Sequence, residues 1–225
     1  MAKSAREPLL KARMESPPQQ ERSRETLRKL LEGAEQLFAE VPINEATVPQ
    51  MCARAGCTTG AFYRRFRDKD ELLDTLFADL LDDVAAATSA ALDPAVTSDL
   101  DLRASVSRFV EAFVDVYTRR AGLCRAIALS ADAHDRYREQ VTRQARRISQ
   151  QLAAMLAGKR ADFDHPDTKL AADFAFRQVF ATLDQTVRFL GSAPTIVKLN
   201  SAALAKELTR GFLGYIGYRE QSKGS

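Results

Sequence analysis

Histidine and cysteine are scarce here, with two of the first and three of the second in 225 residues. His134 and His165 stand outside any metal-ligand spacing such as HExxH. Cys52, Cys57 and Cys124 are odd in number and form no CxxC pair, which argues against a disulfide framework or a zinc site and for a reducing compartment. A phosphate-binding glycine loop and a nucleophile elbow are missing too. Enzyme activity is therefore disfavoured, and neither cofactor nor metal is expected. Long apolar runs are also lacking. The longest uncharged Ala-rich stretch, Val84 to Leu92, is too short to cross a bilayer, and MAKSAREPLLKARMESPPQQ has no apolar core followed by a small-residue cleavage site. The chain reads as soluble and cytoplasmic, with no membrane partner. Net charge is only +3, so any argument for a polyanionic partner must rest on where the charges sit. No segment alternates with period two between turn residues, which excludes strands and predicts an all-α fold.

Helical stripes are what the sequence does contain. Residues 1–20, with Pro8, Pro17 and Pro18 among scattered basic residues, read as a disordered basic tail. Leu27, Leu30, Leu31, Ala34, Leu37 and Phe38 then predict an amphipathic helix from about Arg22 to Glu40. TVPQ offers Thr47 as a cap with Gln50 three residues on, and Gly56 is placed to end the short helix that follows. Thr58 caps a third helix, in which Ala61, Phe62 and Phe66 face inward. DKDE repeats the capping pattern for a fourth, carried by Leu72, Leu73, Leu76, Phe77, Leu80 and Val84. Further stripes run to the C-terminus, through Leu102 to Tyr117 and through Tyr137 to Met155. The last two segments carry apolar residues around more of their circumference than one core covers. Phe174, Thr182 and Phe189 on one, with Leu208, Phe212 and Tyr215 on the other, are expected at a dimer interface in a four-helix bundle shared by two subunits.

Two short helices joined by a glycine turn make a helix-turn-helix, whose second helix lies in the major groove with its N-terminal residues near base edges. That placement accounts for Gly60, which otherwise costs about 1 kcal/mol relative to Ala in a helix interior. Thr58 and Thr59 present hydroxyls at the same end, and the methyl of Thr59 or Ala61 suits a thymine methyl. Tyr63, Arg64, Arg65, Arg67 and Lys69 supply donors for phosphate oxygens, and Asp68 is the one acid between Gln50 and Lys69.

The segment Arg22 to Leu81, above all TVPQMCARAGCTTGAFYRRFRDKDELL, resembles the DNA-binding domain of the tetracycline-repressor (TetR) family of bacterial transcription regulators. The resemblance implies a homodimeric all-α repressor whose C-terminal domain binds a small molecule and dimerises through its last two long helices. By the same resemblance Thr47, Thr58, Tyr63 and Lys69 match phosphate-contacting positions, and Thr59, Gly60 and Ala61 match the face read against bases. The organisation it implies is a reading domain over 21–68 and an effector and dimerisation domain over 69–225, with 69–84 as the connecting helix. Cys57 and VPIN depart from the usual pattern without removing a contact. Cys57 beside Cys52 reads as small apolar packing, with oxidant sensing as the sharper alternative.

In the second domain Phe109, Phe113, Tyr117, Cys124, Tyr137, Met155 and Phe180 are the candidates to line an apolar cavity for a small effector. Asp184 and Arg188, one turn apart, read as a ligand-orienting pair, a dimer bridge or an ordinary surface pair. The arginine-rich HDRYREQVTRQARRISQ reads as a solvated face interrupted by Tyr137, Val141 and Ile148. The leading expectation is a repressor released from a palindromic operator by an apolar effector. Its rival is a helical ligand-binding or interaction protein that keeps the helix-turn-helix as scaffold, and activation rather than repression also fits these residues.

Overall fold

The computed structural model describes residues 17–189 and 197–220, side chains at 17–20 and 131–134 excepted. Its helices are α1 (Pro17–Glu40), α2 (Val48–Ala55), α3 (Thr59–Tyr63), α4 (Lys69–Ala91), α5 (Pro94–Thr97), α6 (Leu102–Arg119), α7 (Ala121–Leu129), α8 (Ala131–Ala157), α9 (Thr168–Arg188) and α10 (Ser201–Ile216). The fold is all-α. Among the described residues the one β feature is an isolated bridge between Phe163 and Tyr218, and no helix is long and apolar enough to cross a membrane. Most of the expected tail lies outside the described residues, and α1 takes in its last four, beginning at Pro17.

The chain divides into two compact units, Met1–Val41 with Glu45–Leu76, and Pro42–Asn44 with Phe77–Ser225. In the first, Leu30, Ala34, Leu37 and Phe38 of α1, Met51, Cys52 and Ala55 of α2, Phe62 of α3 and Leu72, Leu73 and Leu76 of α4 are buried. These are the residues that the helical spacing selects. Gly33 adds a contact that spacing does not show. A Cβ built there would lie 2.9 Å from the Ala55 nitrogen and 3.2 Å from its Cα, so α1 and α2 touch backbone to backbone, and only a residue without a side chain permits it.

Both ends of α2 are closed locally. Thr47 Oγ1 accepts from the Gln50 N–H, and Gln50 Oε1 accepts from the Thr47 N–H at 2.9 Å, the reciprocal box that TVPQ predicts. At the other end Gly56 takes φ 62°. Its N–H donates to the Ala53 carbonyl at 3.3 Å, and the Cys57 N–H donates to the Cys52 carbonyl at 3.0 Å. This is a Schellman closure, and Cys52 and Cys57 hold the two positions whose side chains meet across it. The sulfurs thus do a packing job. Burial, with Cys57 beside it, pushes the Cys52 thiol up to about 11.

Two outcomes follow. At neutral pH iodoacetamide is expected to modify half-buried Cys57 at least about tenfold faster than Cys52, because the thiolate is the reacting species and Cys52 is both buried and un-ionised. Equal rates by peptide mass spectrometry would contradict the packing role. In the unfolded chain Cys52 ionises near 9 and in the folded protein near 11. Its contribution to stability is therefore intact below pH 9 and is lost as pH rises toward 11.

The second unit is built on α6, α8, α9 and α10, with Phe109, Val110 and Phe113, Leu152 and Leu156, Ala175, Val179 and Leu183, and Phe212, Leu213 and Ile216 buried in turn. Ala171, Ala172 and Ala175 on α9 are fully covered, small residues where neighbouring helices come close. Asp101, Asp167 and Asn200 cap α6, α9 and α10 through their side-chain oxygens. Arg120, at the junction of α6 and α7, donates from Nη1 to Asp83 at 2.7 Å and to Asp79 at 3.1 Å, fixing α4 to that junction. The Asp164 and His165 N–H groups donate to the Ile216 carbonyl, and the Arg219 N–H to the Asp162 carbonyl at 2.8 Å, clasping the end of α10 to the segment before α9.

Phe212 departs from expectation. It is 2% exposed, covered within its own unit, so it is core and not available to a partner. Leu208 and Tyr215 are half-buried, and the Tyr215 ring sits 4.9 Å from Phe174 with its hydroxyl 3.2 Å from His165 Nε2. Phe174, Thr182 and Phe189 are exposed along one side of α9 together with Leu170. On α10 nothing lies within 4 Å of a Cβ built on Gly211 or Gly214.

Candidate functional site

Two sites emerge, one in each unit. In the first unit α3 is a turn and a half of helix. Thr58 caps it by accepting from the Ala61 N–H at 3.2 Å. The helix then tightens and stops, the Arg65 N–H bonding the Phe62 carbonyl at 2.8 Å, so it is shorter than the run to Phe66 predicts. Phe62 is anchored in the core, its ring 5.4 Å from Phe66 and edge-on to Tyr63 at 5.3 Å. That anchor aims Tyr63 outward, and Tyr63 is 60% exposed. Thr47, Thr58, Thr59, Gly60 and Arg64 are exposed with it.

Three of the expected contact residues are placed otherwise. Ala61 is 6% exposed, since it sits beside Phe62 on the inward side of a short helix, and its methyl is withdrawn from a reading face. Arg65 is half-buried and committed within the unit. Its Nη2 donates to the Ser23 carbonyl at 2.8 Å and to the Ser23 hydroxyl at 3.0 Å, and its Nη1 to the Ala61 carbonyl at 3.3 Å. Lys69 donates from Nζ to the Ala46 carbonyl at 3.0 Å, tethering the start of α4 to the residue before the α2 cap. Arg54 and Arg67 are paired with Glu40 and Glu71. Arg64 has no ion-pair partner among the described residues and stands next to Gly60, its Nη1 3.9 Å from where a Cβ would be. The exposed face of α3 is thus a short row of hydroxyls, a bare glycine, a phenol and a free guanidinium, a surface of donors with no carboxylate of its own.

The second site is a cavity of about 340 Å³ enclosed by α4, α6, α7, α8 and α9, within the range of pockets that hold drug-sized ligands. Phe113, Tyr117, Cys124, Tyr137 and Phe180 line it as the sequence leads one to expect. Phe109 and Met155 do not. Phe109 lies behind the wall, its ring stacked 5.9 Å from Phe113 and tilted against Phe176 at 6.3 Å, and Met155 is buried farther along α8. Other lining residues were legible only as core or as solvated surface. Phe77, Leu80 and Val84 of α4 belong to the stripe read as packing, and Arg138, Val141, Thr142 and Ile148 belong to the arginine-rich face of α8. The signal available there was the apolar interruption of that face. Phe77 and Tyr137 stack at 3.9 Å and form one wall.

Polar groups are few: Tyr117 from α6, Arg138, Thr142 and Gln144 from α8, and Asp184 and Arg188 from α9. Asp184 accepts from Arg188 Nε at 2.7 Å, each side chain about one-third exposed. Burial holds the Tyr117 phenol well above its ordinary range, and Cys124 and Asp184 nearby raise it further, so the hydroxyl stays protonated.

Sequence and structure comparisons bear on both sites. The model for bacterial regulatory proteins of the tetR family matches residues 30–76, and the model for a tetracyclin repressor-like C-terminal domain matches residues 101–215. No curated protein matches by sequence. Among solved structures, a bacterial regulatory protein of the tetR family from Rhodococcus RHA1 is 17% identical with a TM-score of 0.66, covering 87% of this chain and 98% of its own. The ketosteroid transcriptional regulator KstR2 of Mycobacterium tuberculosis is 20% identical with a TM-score of 0.66, covering 86% and 95%. NalD, the secondary repressor of the MexAB-OprM multidrug efflux pump in Pseudomonas aeruginosa, is 15% identical with a TM-score of 0.63, covering 89% and 99%. At these identities the solved structures speak for the fold alone. The family models between them take in both units, and by that match the chain belongs to the TetR family of bacterial transcription regulators.

Proposed function

We propose that this regulator is a homodimeric repressor that reads two symmetric half-sites of an operator and leaves it when a small apolar effector enters the cavity. The observation that carries the DNA reading is the outward face of α3, where Thr58, Thr59, Gly60, Tyr63 and Arg64 are exposed together. Thr47 and Lys69 flank that face in sequence, and Arg65 serves it by tying α3 to Ser23 of α1. Ala61 takes no part. Repression, rather than activation, draws support from NalD, a repressor of the same fold, and KstR2, by name a ketosteroid regulator, supports an apolar effector. The DNA partner makes the cytoplasm the place of action.

Leu170, Phe174, Thr182 and Phe189 support dimerisation through α9, and Gly211 and Gly214 leave α10 open to a close-packed partner helix. Residues 21–68 then read DNA, and 69–225 hold effector and partner. Residues 69–84 of α4 connect the two, because Phe77, Leu80 and Val84 line the cavity while Lys69 holds Ala46. Release is a population shift. The effector must bind more tightly to a state whose reading helices are wrongly spaced for successive major grooves, about 34 Å apart, and equal affinity for both states would move nothing.

The test is operator binding by Tyr63→Phe with Arg64→Ala, measured by gel shift on the fragment upstream of its own gene across a salt series. Loss of a phosphate bond and a phosphate charge is expected to weaken binding by about 100-fold and to flatten the salt dependence by about one charge. Binding that is unchanged in affinity and slope would leave the helix-turn-helix as a scaffold only.

A further inference from the structure

The polar groups of the cavity are not balanced in kind. Among the described residues Asp184 is the one carboxylate on its wall, against Arg138 and Arg188, and it is already taken. Its Oδ2 meets Arg188 at Nε, which occupies one edge of the guanidinium and leaves the two Nη groups without a protein partner among the described residues. A guanidinium presents five donors in a planar fork, so one edge can hold a protein carboxylate while another meets a second oxyanion. Tyr117 lies close enough to Asp184 to feel its charge, and its hydroxyl has no hydrogen-bond partner among the described residues. Around these groups the wall is aromatic and aliphatic, from Phe180 and Phe176 to Phe77 and Ile148. A cation would find aromatic faces here, but the one carboxylate among the described lining residues is engaged. An oxyanion would find donors, one of them charged, that this bond leaves unspent on the wall of a mostly apolar space.

We propose that the cavity receives an apolar molecule ending in a single oxyanion, most simply a carboxylate, held by the Nη groups of Arg188 with the Tyr117 hydroxyl beside them. This rests on reading the cavity as the effector site. Asp184 then acts as a positioning residue, fixing the guanidinium plane through Nε so that the ligand meets a pre-set fork and not a freely rotating side chain. The apolar part lies along Phe113, Phe176 and Phe77, where its burial supplies most of the affinity and the head group supplies the choice.

Three probes with the same ten-carbon chain separate these roles: decanoate, decanol and decyltrimethylammonium, titrated calorimetrically into the full chain at pH 7.5. Decanoate is expected to bind about tenfold or more tightly than decanol, the worth of a charge-assisted bond in a partly enclosed site. In Arg188→Gln that preference should fall to about twofold while decanol affinity holds, and Tyr117→Phe should reduce it by a smaller factor. Should Arg188→Gln fail to fold, the ranking of the three probes on the unaltered protein together with Tyr117→Phe still decides. Tighter binding of decyltrimethylammonium than decanoate, or an unchanged preference in Arg188→Gln, overturns the assignment. Equal binding of all three overturns the head group and leaves the cavity reading intact, whereas binding of none removes both.

Discussion

Gly60→Leu is expected to leave the protein folded and to weaken operator binding about 100-fold or more. A Cβ at position 60 would meet Thr58 Oγ1 at 3.8 Å and Arg64 Nη1 at 3.9 Å, ordinary van der Waals distances. Its backbone is not in the left-handed region, which among the described residues only Gly56 and Gly217 occupy. Nothing in the folded unit therefore requires glycine there. Gly60→Ala should even stabilise the helix by up to about 1 kcal/mol, the ordinary propensity difference. What glycine allows is approach from outside, since the N-terminal end of a reading helix must bring its backbone and short hydroxyls against base edges and phosphates. A leucine side chain would stand in that space and hold Thr59 and Tyr63 off the duplex. Losing two charge-assisted or hydroxyl bonds at about 1.5 kcal/mol each accounts for the expected factor. Gel shift read beside a urea denaturation curve checks both halves. Normal binding by Gly60→Leu would reduce the residue to a tolerated defect.

Gly33 answers the same substitution in the opposite way. Gly33→Ala adds one methyl and places it 2.9 Å from the Ala55 nitrogen and 3.2 Å from its Cα and Cβ. The first two are main-chain atoms and the third is bonded directly to them, in a helix closed at both ends by its caps, so they cannot swing aside as a side-chain tip would. Overpacking of this kind costs about 1–3 kcal/mol, and the gain in helix propensity offsets about 1 kcal/mol of it. The expected net effect is a loss of up to about 2 kcal/mol, seen as a lower urea midpoint. Gly33→Leu should cost more and take DNA binding with it, because α1 would no longer seat α2 and the reading helix hangs on that pair. A raised midpoint for Gly33→Ala would show that propensity wins and that the helices part easily.

The contrast between these two glycines marks what the sequence could and could not tell. Gly60 sits in a motif whose neighbours are all within a few residues, and the caps at Thr47 and Thr58 and the stop at Gly56 are likewise local. Such features are legible because the groups that satisfy them are sequence neighbours. Gly33 is written in the middle of an amphipathic stripe, and its partner is Ala55 in another helix. Arg65 has the same problem. It reads as one more cation in a basic cluster, whereas its bonds run to Ser23, far back in α1. In the second unit, stripes located helix faces but not what stands opposite them. Phe212 and Phe109 turned inward to other helices, while Phe77 and Ile148, read as packing, face an open space. A cavity is made by what fails to meet, and no periodicity in one helix records that.

The clasp between the segment before α9 and the end of α10 has a consequence for how the second unit opens. Asp164, His165 and Arg219 spend their amide hydrogens across it, so α9 and α10 are closed into one covalent and hydrogen-bonded ring. Neither helix can fray from that end without releasing the other. In native-state hydrogen exchange the two should therefore behave as a single foldon, opening together at the higher free energy of the pair rather than one after the other.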